Sequence, residues 1–96
     1  MDSQTMRAAV ADNPARDRFE LAVGGTVAFV DYRRSGDVLI VPHTEVPRAL
    51  EGRGVGTALV LGTLDRVREA GRKVSPRCGF FARVVMRHPD QRDLLA

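Results

Sequence analysis

The clearest chemical signal in the sequence is the run Glu51-Gly52-Arg53-Gly54-Val55-Gly56-Thr57. Its three glycines, spread over five positions, leave the entrance to the following apolar segment almost free of side chains. Backbone N–H groups at a helix entrance, aided by the helix dipole, are well suited to bind phosphate. On spacing alone, phosphate binding and a simple loop-to-helix turn explain the run equally well. A P-loop is excluded because the run lacks Gly-Lys-Ser/Thr, and a dinucleotide fingerprint needs a longer glycine spacing.

Three further side chains could take part in acid–base or nucleophilic chemistry. Cys78 is the only thiol of the chain, and a lone cysteine after a short strand is more often a small buried filler than a nucleophile. His43 and Glu45 alternate along one predicted strand and could share a face, with His43 as a base near neutral pH and Glu45 as a reserve base. On spacing alone, a surface histidine–glutamate pair is the simpler interpretation.

The hydrophobic pattern predicts the elements that must position these residues. Gly24-Gly25 indicates a tight hairpin, Pro42 a bulge or irregularity within its strand, and Gly71 the end of the long helix. Residues 1–5 are expected to be flexible. Strands are predicted at residues 6–11, 18–23, 26–34, 38–46 and 72–77, and helices at residues 54–70, 80–87 and, over one or two turns, 90–96.

This order of elements predicts an α+β fold, a mixed α/β sandwich with a mostly antiparallel central sheet and helices packed on it. The helix at residues 54–70 is expected to lie in a right-handed crossover between two strands. With 96 residues, the chain is predicted to form one small domain over residues 1–96.

Composition limits the classes of function. Hydrophobic residues make up 44% and charged residues 28%, as is typical of a globular protein. No apolar run approaches the roughly 20 residues that span a bilayer and no signal peptide is evident, so no membrane partner is expected. The single cysteine fits a cytoplasmic location. Lys plus Arg is 15 against 12 for Asp plus Glu, but basic runs are short and aromatics few, so no nucleic-acid partner is expected.

The glycine run and its surroundings resemble the acetyl-CoA signature of the GCN5-related N-acetyltransferases, which is Gln or Arg, two variable residues, Gly, one variable residue, then Gly or Ala. Gly54 and Gly56 match this pattern, whereas Glu51 stands at the Gln/Arg position and places an acid near the expected pyrophosphate. Residues 12–95 are similar to the small, single-domain branch of that superfamily, the YjdJ-type or N-acetyltransferase-domain-containing-1-like proteins. The matching residues are Asn13, Arg18-Phe19-Glu20, Ala28-Phe29, Asp31-Tyr32, His43-Thr44-Glu45-Val46-Pro47, Cys78, Phe80, Ala82 and His88-Pro89.

The resemblance implies a sheet that splays beside the strand ending near Val46 and a cofactor, acetyl-CoA or CoA, held in that opening. The pantetheine arm would follow residues 44–46, the pyrophosphate would lie on the backbone of residues 53–57, and the thioester would point toward His43, Glu45 and Cys78. The cofactor-binding residues implied in this way are Thr44, Glu45, Val46, Arg53, Gly54, Val55, Gly56, Thr57, Phe80, Arg83 and His88.

Several of these residues have a plainer interpretation. Phe80 is most simply a core residue, Arg83 shares a solvated helix face with Arg87, and His88 suits a structural position at a helix end. Cys78, beside the acetyl group in the resemblance, would act as a nucleophile or as the acid for the CoA thiolate. The family usually has Pro where Gly79 follows, which loosens the turn that holds the thiol.

The leading hypothesis is therefore an acetyl-CoA-dependent N-acetyltransferase, with Cys78, His43 and Glu45 as the catalytic candidates and a small-molecule or protein amine as acceptor. The second is a CoA-binding module with little catalysis, which the small size, Glu51 and Gly79 favour. The third is a weak nucleic-acid binder, motivated only by the arginine surplus. The sequence predicts no metal site and leaves the acceptor and the oligomeric state open.

Overall fold

Five strands form one sheet in which each strand pairs with the next along the chain, antiparallel except for the last two, which run parallel. The computed structural model describes residues 1–96. Short 3-10 turns occur at Pro14–Arg16, Arg48–Leu50 and Pro89–Leu94. The main elements are α1 (Ser3–Ala9), β1 (Ala11–Asn13), β2 (Arg18–Val23), β3 (Thr26–Ser35), β4 (Val38–Glu45), α2 (Val55–Glu69), β5 (Lys73–Pro76) and α3 (Gly79–Arg87). The predicted mixed fold, with a mostly antiparallel sheet and helices packed on it, is confirmed.

Local backbone chemistry fixes the connections of the sheet. Gly24 and Gly25 both have positive φ, 56° and 80°, which suits the two-residue hairpin between β2 and β3. The β3–β4 register shifts between Asp31 and Arg33, which pair with His43 and Ile40, so β4 carries one extra residue there. This bulge contains Pro42, which has no N–H to donate to a strand ladder. The predicted irregularity at Pro42 is confirmed.

All the strand side chains that belong to the core point to one face of the sheet. The register places Phe19 opposite Val30, Leu21 opposite Ala28, and Leu39 opposite Val74, so these side chains point to the same face. Buried residues of α1, α2 and α3 join them in a single cluster of 21 residues. The strand residues of this cluster are Phe19, Leu21, Ala28, Val30, Tyr32, Leu39, Val41 and Val74.

The long helix α2 begins and ends where glycine permits it. Gly54, the N-cap residue, has a φ of 74°, in the left-handed region. At the other end, the Gly71 N–H donates to Arg68 O and the Arg72 N–H to Val67 O, which is the Schellman arrangement. The sequence prediction of a helix over residues 54–70 that Gly71 ends is confirmed to within one residue.

The N-terminal segment differs from its prediction. A strand was expected at residues 6–11, but residues Ser3–Ala9 form helix α1. Asp2 caps this helix by accepting a hydrogen bond from the Thr5 N–H at 2.7 Å. The helix then packs on α2 at Gly62, where an added β-carbon would lie 2.5 Å from Arg7 O. The N-cap at Asp2 and this contact with α2 favour a helix over the strand that was expected.

The two parallel strands separate where the candidate site lies. Strand β5 pairs with β4 only from Val38 to Val41, whereas β4 continues to Glu45 against β3. At the point of separation, Val41 O accepts hydrogen bonds from the N–H groups of Arg77 and Cys78, at 2.8 and 3.0 Å. Beyond Val41, β4 therefore has a free edge on this side. None of the helices combines the length and apolar composition needed to cross a bilayer.

Candidate functional site

A cleft of about 400 Å³ lies between the start of α2 and the free edge of β4. We call it the glycine cleft. Its walls come from the end of β4, the loop before α2, the first turn of α2 and the start of α3. The lining residues are Thr44, Val46, Leu50, Glu51, Gly52, Gly54, Val55, Gly56, Thr57 and Phe80. Most of the residues that the sequence proposed for a phosphorylated cofactor thus line one cavity.

Backbone donors are exposed along this cleft. No N–H group from residue 52 to residue 57 donates a hydrogen bond within the protein. For residues 55–57 the reason is that the first turn of a helix has no preceding carbonyls to bond. Gly52 and Gly54 have φ values of 78° and 74°, which side-chain-bearing residues rarely adopt. These glycines give the loop a shape that leaves its donors uncovered. Such an array suits an anion.

The lack of a side chain at Gly56 lets Phe80 and Val46 lie close to the backbone of α2 at the inner wall of the cleft. A β-carbon at this position would lie 2.8 Å from Phe80 Cζ and 3.4 Å from Val46 Cγ2. Phe80 is only half-buried, unlike its neighbour Phe81, which is fully buried in the core. Phe80 therefore lines the cleft and also packs against the edge of the core cluster, so both interpretations of it apply.

Cys78 lies at the point where β4 and β5 separate, as the N-cap residue of α3. Burial raises the pKa of its thiol, but the nearby Phe81 N–H and Thr44 hydroxyl favour the thiolate, and the net shift of the pKa is downward. Neither group forms a well-shaped bond to the sulfur: α3 has no side-chain cap bond, and Thr44 Oγ1 is buried without a partner. The thiol is half-buried and next to a polar group that has no partner.

His43 and Glu45 form the side-chain pair that their spacing suggested, with Nε2 and Oε1 2.8 Å apart and both side chains about half exposed. They point to the sheet face opposite Thr44, because neighbouring residues of a strand alternate. Thr44 pairs with the core residue Val30, whereas His43 pairs with Asp31. The structure therefore places the His43–Glu45 pair on one face of β4 and Thr44, with Cys78 beside it, on the other.

The remaining candidates lie outside the cleft walls. Arg53 is exposed and precedes Gly54. Arg83 is exposed on α3, with its guanidinium near Gly79. His88 donates from Nδ1 to Val84 O at 2.8 Å, which matches the structural position expected at a helix end.

Two features of the site escaped sequence reasoning. Leu50 lines the cleft, which its place directly before the glycine run could have indicated. Asp31 lies directly across from His43, with no side-chain hydrogen bond or ion pair of its own. Only the register between β3 and β4, which the bulge at Pro42 sets, brings these two residues together.

Comparisons with known proteins identify the family and the fold. A family model described as GCN5-related N-acetyl-transferase matches residues 18–94. The solution NMR structure of a GCN5-like protein from Staphylococcus aureus matches with a TM-score of 0.70 at 20% identity, covering 94% of this chain and 89% of that chain. At this identity the likeness concerns the fold. A comparison with curated proteins gave no significant match. Because the family model spans the sheet from β2 onward, the glycine cleft and Cys78, the chain belongs to the GCN5-related N-acetyltransferase family.

Proposed function

We propose that this protein transfers the acetyl group of acetyl-CoA to an amine. The observation that carries the proposal is a single cleft that joins the bare N–H groups of residues 52–57 to the free edge of β4 beside Cys78. The N–H groups suit the phosphate groups of a ligand, and the free strand edge suits an extended arm that contains amides. Glu51, which also lines the cleft, works against an anion.

The residues present fit this cofactor on three counts. The N–H groups of residues 52–57 have no partner within the protein and can bind a pyrophosphate. Gly56 adds no side chain to the part of the cleft wall where it approaches Phe80 and Val46. The hydroxyl of Thr44 is buried without a partner next to Cys78. When bound, acetyl-CoA would supply the acetyl group as a thioester.

The ionisable residues divide between the two faces of the sheet. With Nε2–H of His43 donated to Glu45, Nδ1 of His43 carries the lone pair that can accept a proton from an amine. Cys78, on the other side of β4, is the candidate acid or nucleophile. The lowered pKa of its thiol favours the nucleophilic role, because the thiolate is the reactive form.

A second candidate function is CoA binding with little catalysis. It is favoured by the carboxylate of Glu51 in the cleft and by the absence of any enclosed cavity around His43 and Glu45. Under this alternative the His43–Glu45 pair is a solvated surface pair, which typically contributes ~0–1 kcal/mol to stability.

One experiment separates these functions. The protein is incubated with acetyl-CoA, alone and with a panel of amines, and free CoA and intact protein mass are measured, with Cys78→Ala in parallel. Amine-dependent CoA release supports the enzyme, and a mass gain that Cys78→Ala abolishes supports a two-step reaction. Cofactor binding without turnover supports the binding module. An absence of acetyl-CoA binding overturns both.

A further inference from the structure

A second cleft, of about 330 Å³, lies at the C-terminal end of α2, between the last turn of this helix and the sheet. We call it the distal cleft. It shares no lining residue with the glycine cleft, which lies at the other end of the same helix. Because an α-helix rises ~1.5 Å per residue, roughly 20 Å separate Gly56 from the last turn of α2. A ligand in the distal cleft therefore does not occupy the place of the acetyl donor.

The floor of the distal cleft is apolar. Phe19, Leu39 and Val67 belong to the buried core, and Ala70 adds its methyl group at the C-cap of α2. The cleft is thus an opening in the core between β2, β4 and α2. Its volume lies at the small end of the range of ~300–1,000 Å³ that ligand sites occupy. An opening of this size suits a compact molecule with an apolar part.

The walls of the distal cleft carry four charged side chains, and two of these neutralise each other. Arg66 Nη2 lies 2.7 Å from Glu69 Oε2. Arg66 Nη1 also donates to Val10 O at 3.3 Å, which ties α2 to the end of α1. The Arg66 guanidinium is therefore already engaged within the protein, and Glu69 has its counter-ion.

The other two charged side chains, Asp12 and Arg72, lack a counter-ion. Asp12 pairs with Phe19 in the β1–β2 register, and its Oδ1 accepts a hydrogen bond from the Tyr32 hydroxyl at 2.7 Å. This bond orients the carboxylate and leaves Oδ2 free to accept another. Arg72, half-buried just beyond α2, forms no side-chain hydrogen bond or ion pair. Opposite charges thus line the same cleft without pairing with each other.

Nearby charges outside the walls do not cancel this pattern. Arg34 lies opposite Leu39 in the β3–β4 register, and Arg34 and Asp17 both act on the titration of Tyr32. Neither residue lines the distal cleft or forms an ion pair. Their charges are of opposite sign, so their long-range effects on a ligand oppose each other. One free carboxylate and one free guanidinium remain in the walls.

We propose that the distal cleft binds a free α-amino acid with an apolar side chain. Its ammonium group binds Asp12, its carboxylate binds Arg72, and its side chain lies on the apolar floor. Charge complementarity favours such a zwitterion, because it supplies a partner for each unpaired wall charge. An amino acid inside a polypeptide has lost both charges to peptide bonds, so the site distinguishes the free molecule. This binding does not depend on the proposed acetyl transfer.

Binding is tested by NMR titration of isotope-labelled protein with L-leucine and, separately, with L-phenylalanine. Matched probes each lack one part of L-leucine: 3-methylbutylamine lacks the carboxylate, 4-methylpentanoate the ammonium group, and glycine the apolar side chain. We expect saturable shifts centred on Asp12, Leu39 and Arg72 with the apolar amino acids, and a Kd at least roughly tenfold higher for each matched probe. An absence of saturable shifts with both amino acids, shifts centred on the glycine cleft, or equal binding of any matched probe overturns the proposal.

Variants separate the roles of the two free wall charges. In Arg72→Gln we expect the Kd of L-leucine to rise roughly tenfold and to approach that of 3-methylbutylamine, because the carboxylate has lost its partner. Asp12→Asn retains an oxygen that can accept from Tyr32, and there the Kd of L-leucine should approach that of 4-methylpentanoate. Arg87→Gln, exposed on α3 and outside every cleft, is the control for loss of one positive charge and should leave the Kd unchanged.

The outcome does not depend on every variant folding. Arg72 has no side-chain hydrogen bond or ion pair to lose, so thermal unfolding of Arg72→Gln should match that of the native protein. If Asp12→Asn does not fold, Arg72→Gln alone decides. Native affinity for L-leucine in Arg72→Gln, or an equal loss of affinity in Arg87→Gln, overturns the assignment of the carboxylate to Arg72 and with it the proposal.

Discussion

Gly56 lies against the ring of Phe80 so closely that a β-carbon at residue 56 would be 2.8 Å from Cζ and 3.2 Å from Cε2. Gly56 belongs to the first turn of α2 and Phe80 to the first turn of α3, so this contact joins the two walls of the glycine cleft. The ring can shift, because it is the far end of a side chain, but only by changing the shape of the cleft.

We therefore expect Gly56→Ala to weaken acetyl-CoA binding about tenfold, as for the loss of ~1.4 kcal/mol, while leaving thermal stability almost unchanged. The strain of moving Phe80 is offset by the gain of up to ~1 kcal/mol when Ala replaces Gly in a helix. Calorimetric titration and thermal unfolding measure the two effects. Gly79→Ala is the control, because only the flexible end of Arg83 lies near that position. Unchanged affinity in Gly56→Ala would contradict the role of this wall.

Glu51 should weaken the binding of an anionic cofactor, since its carboxylate lines the cleft that carries the free N–H groups. We expect Glu51→Gln to tighten acetyl-CoA binding severalfold, because two unit charges about 4 Å apart in water repel by ~1 kcal/mol. The gain should shrink as salt is added. Calorimetric titration at low and high salt measures it, with Asp37→Asn as a charge-matched control. A loss of affinity in Glu51→Gln would show that the carboxylate contributes to binding.

Much of the fold is readable in the sequence because local chemistry determines it. Strand β2, the hairpin at Gly24-Gly25, the bulge at Pro42 and the end of α2 at Gly71 each follow from residues within the element itself. Helix α1 does not. It has only seven residues, too few to be stable alone, and it depends on docking against Gly62, far away in the sequence.

The candidate site, like the fold, was predictable where local sequence determines it and not where distant contacts do. The glycine run identifies the bare entrance of α2, because φ preferences and missing side chains are local properties. Alternation along β4 could separate His43 and Glu45 from Thr44. That Cys78 lies on the Thr44 side depends on where β5 ends and how its chain returns to Val41, which no local pattern contains.

The reactivity of Cys78 should depend on Thr44. Since the Thr44 hydroxyl helps to lower the pKa of the thiol, Thr44→Val should raise that pKa. The rate of alkylation by iodoacetamide, followed against pH, reports the thiolate fraction, and its midpoint should move to higher pH in the variant. Thr57→Val, at the other end of the cleft, should leave the midpoint unchanged. An unaltered profile in Thr44→Val would assign the shift to the α3 backbone alone.

Substitution by alanine should destabilise the protein far more at Gly62 than at Gly56, although both residues lie in α2. A β-carbon at residue 62 would lie 2.5 Å from Arg7 O, a backbone atom, and 2.4 Å from Val10 Cγ2. We expect Gly62→Ala to lower the free energy of unfolding by about 2–3 kcal/mol, as overpacking does. Urea unfolding measures this, and hydrogen exchange should show loss of protection in α1. Equal stability of Gly62→Ala and Gly56→Ala would contradict a rigid α1–α2 contact.

Tyr32 should make the protein less stable in alkali. Burial, together with the hydrogen bond from its hydroxyl to Asp12 Oδ1 at 2.7 Å, raises the pKa of Tyr32 to about 12. The ordinary pKa in an unfolded chain is about 10, so the folded state holds this proton more tightly. The resulting stabilisation of roughly 2–3 kcal/mol is complete below about pH 10 and is lost as pH rises toward about 12.

Tyr32 is the only tyrosine, so phenolate absorbance reports its titration directly. Urea unfolding across this pH range should show a steeper fall for the native protein than for Tyr32→Phe, because the variant has no proton to lose at this position, and parallel curves would contradict the assignment.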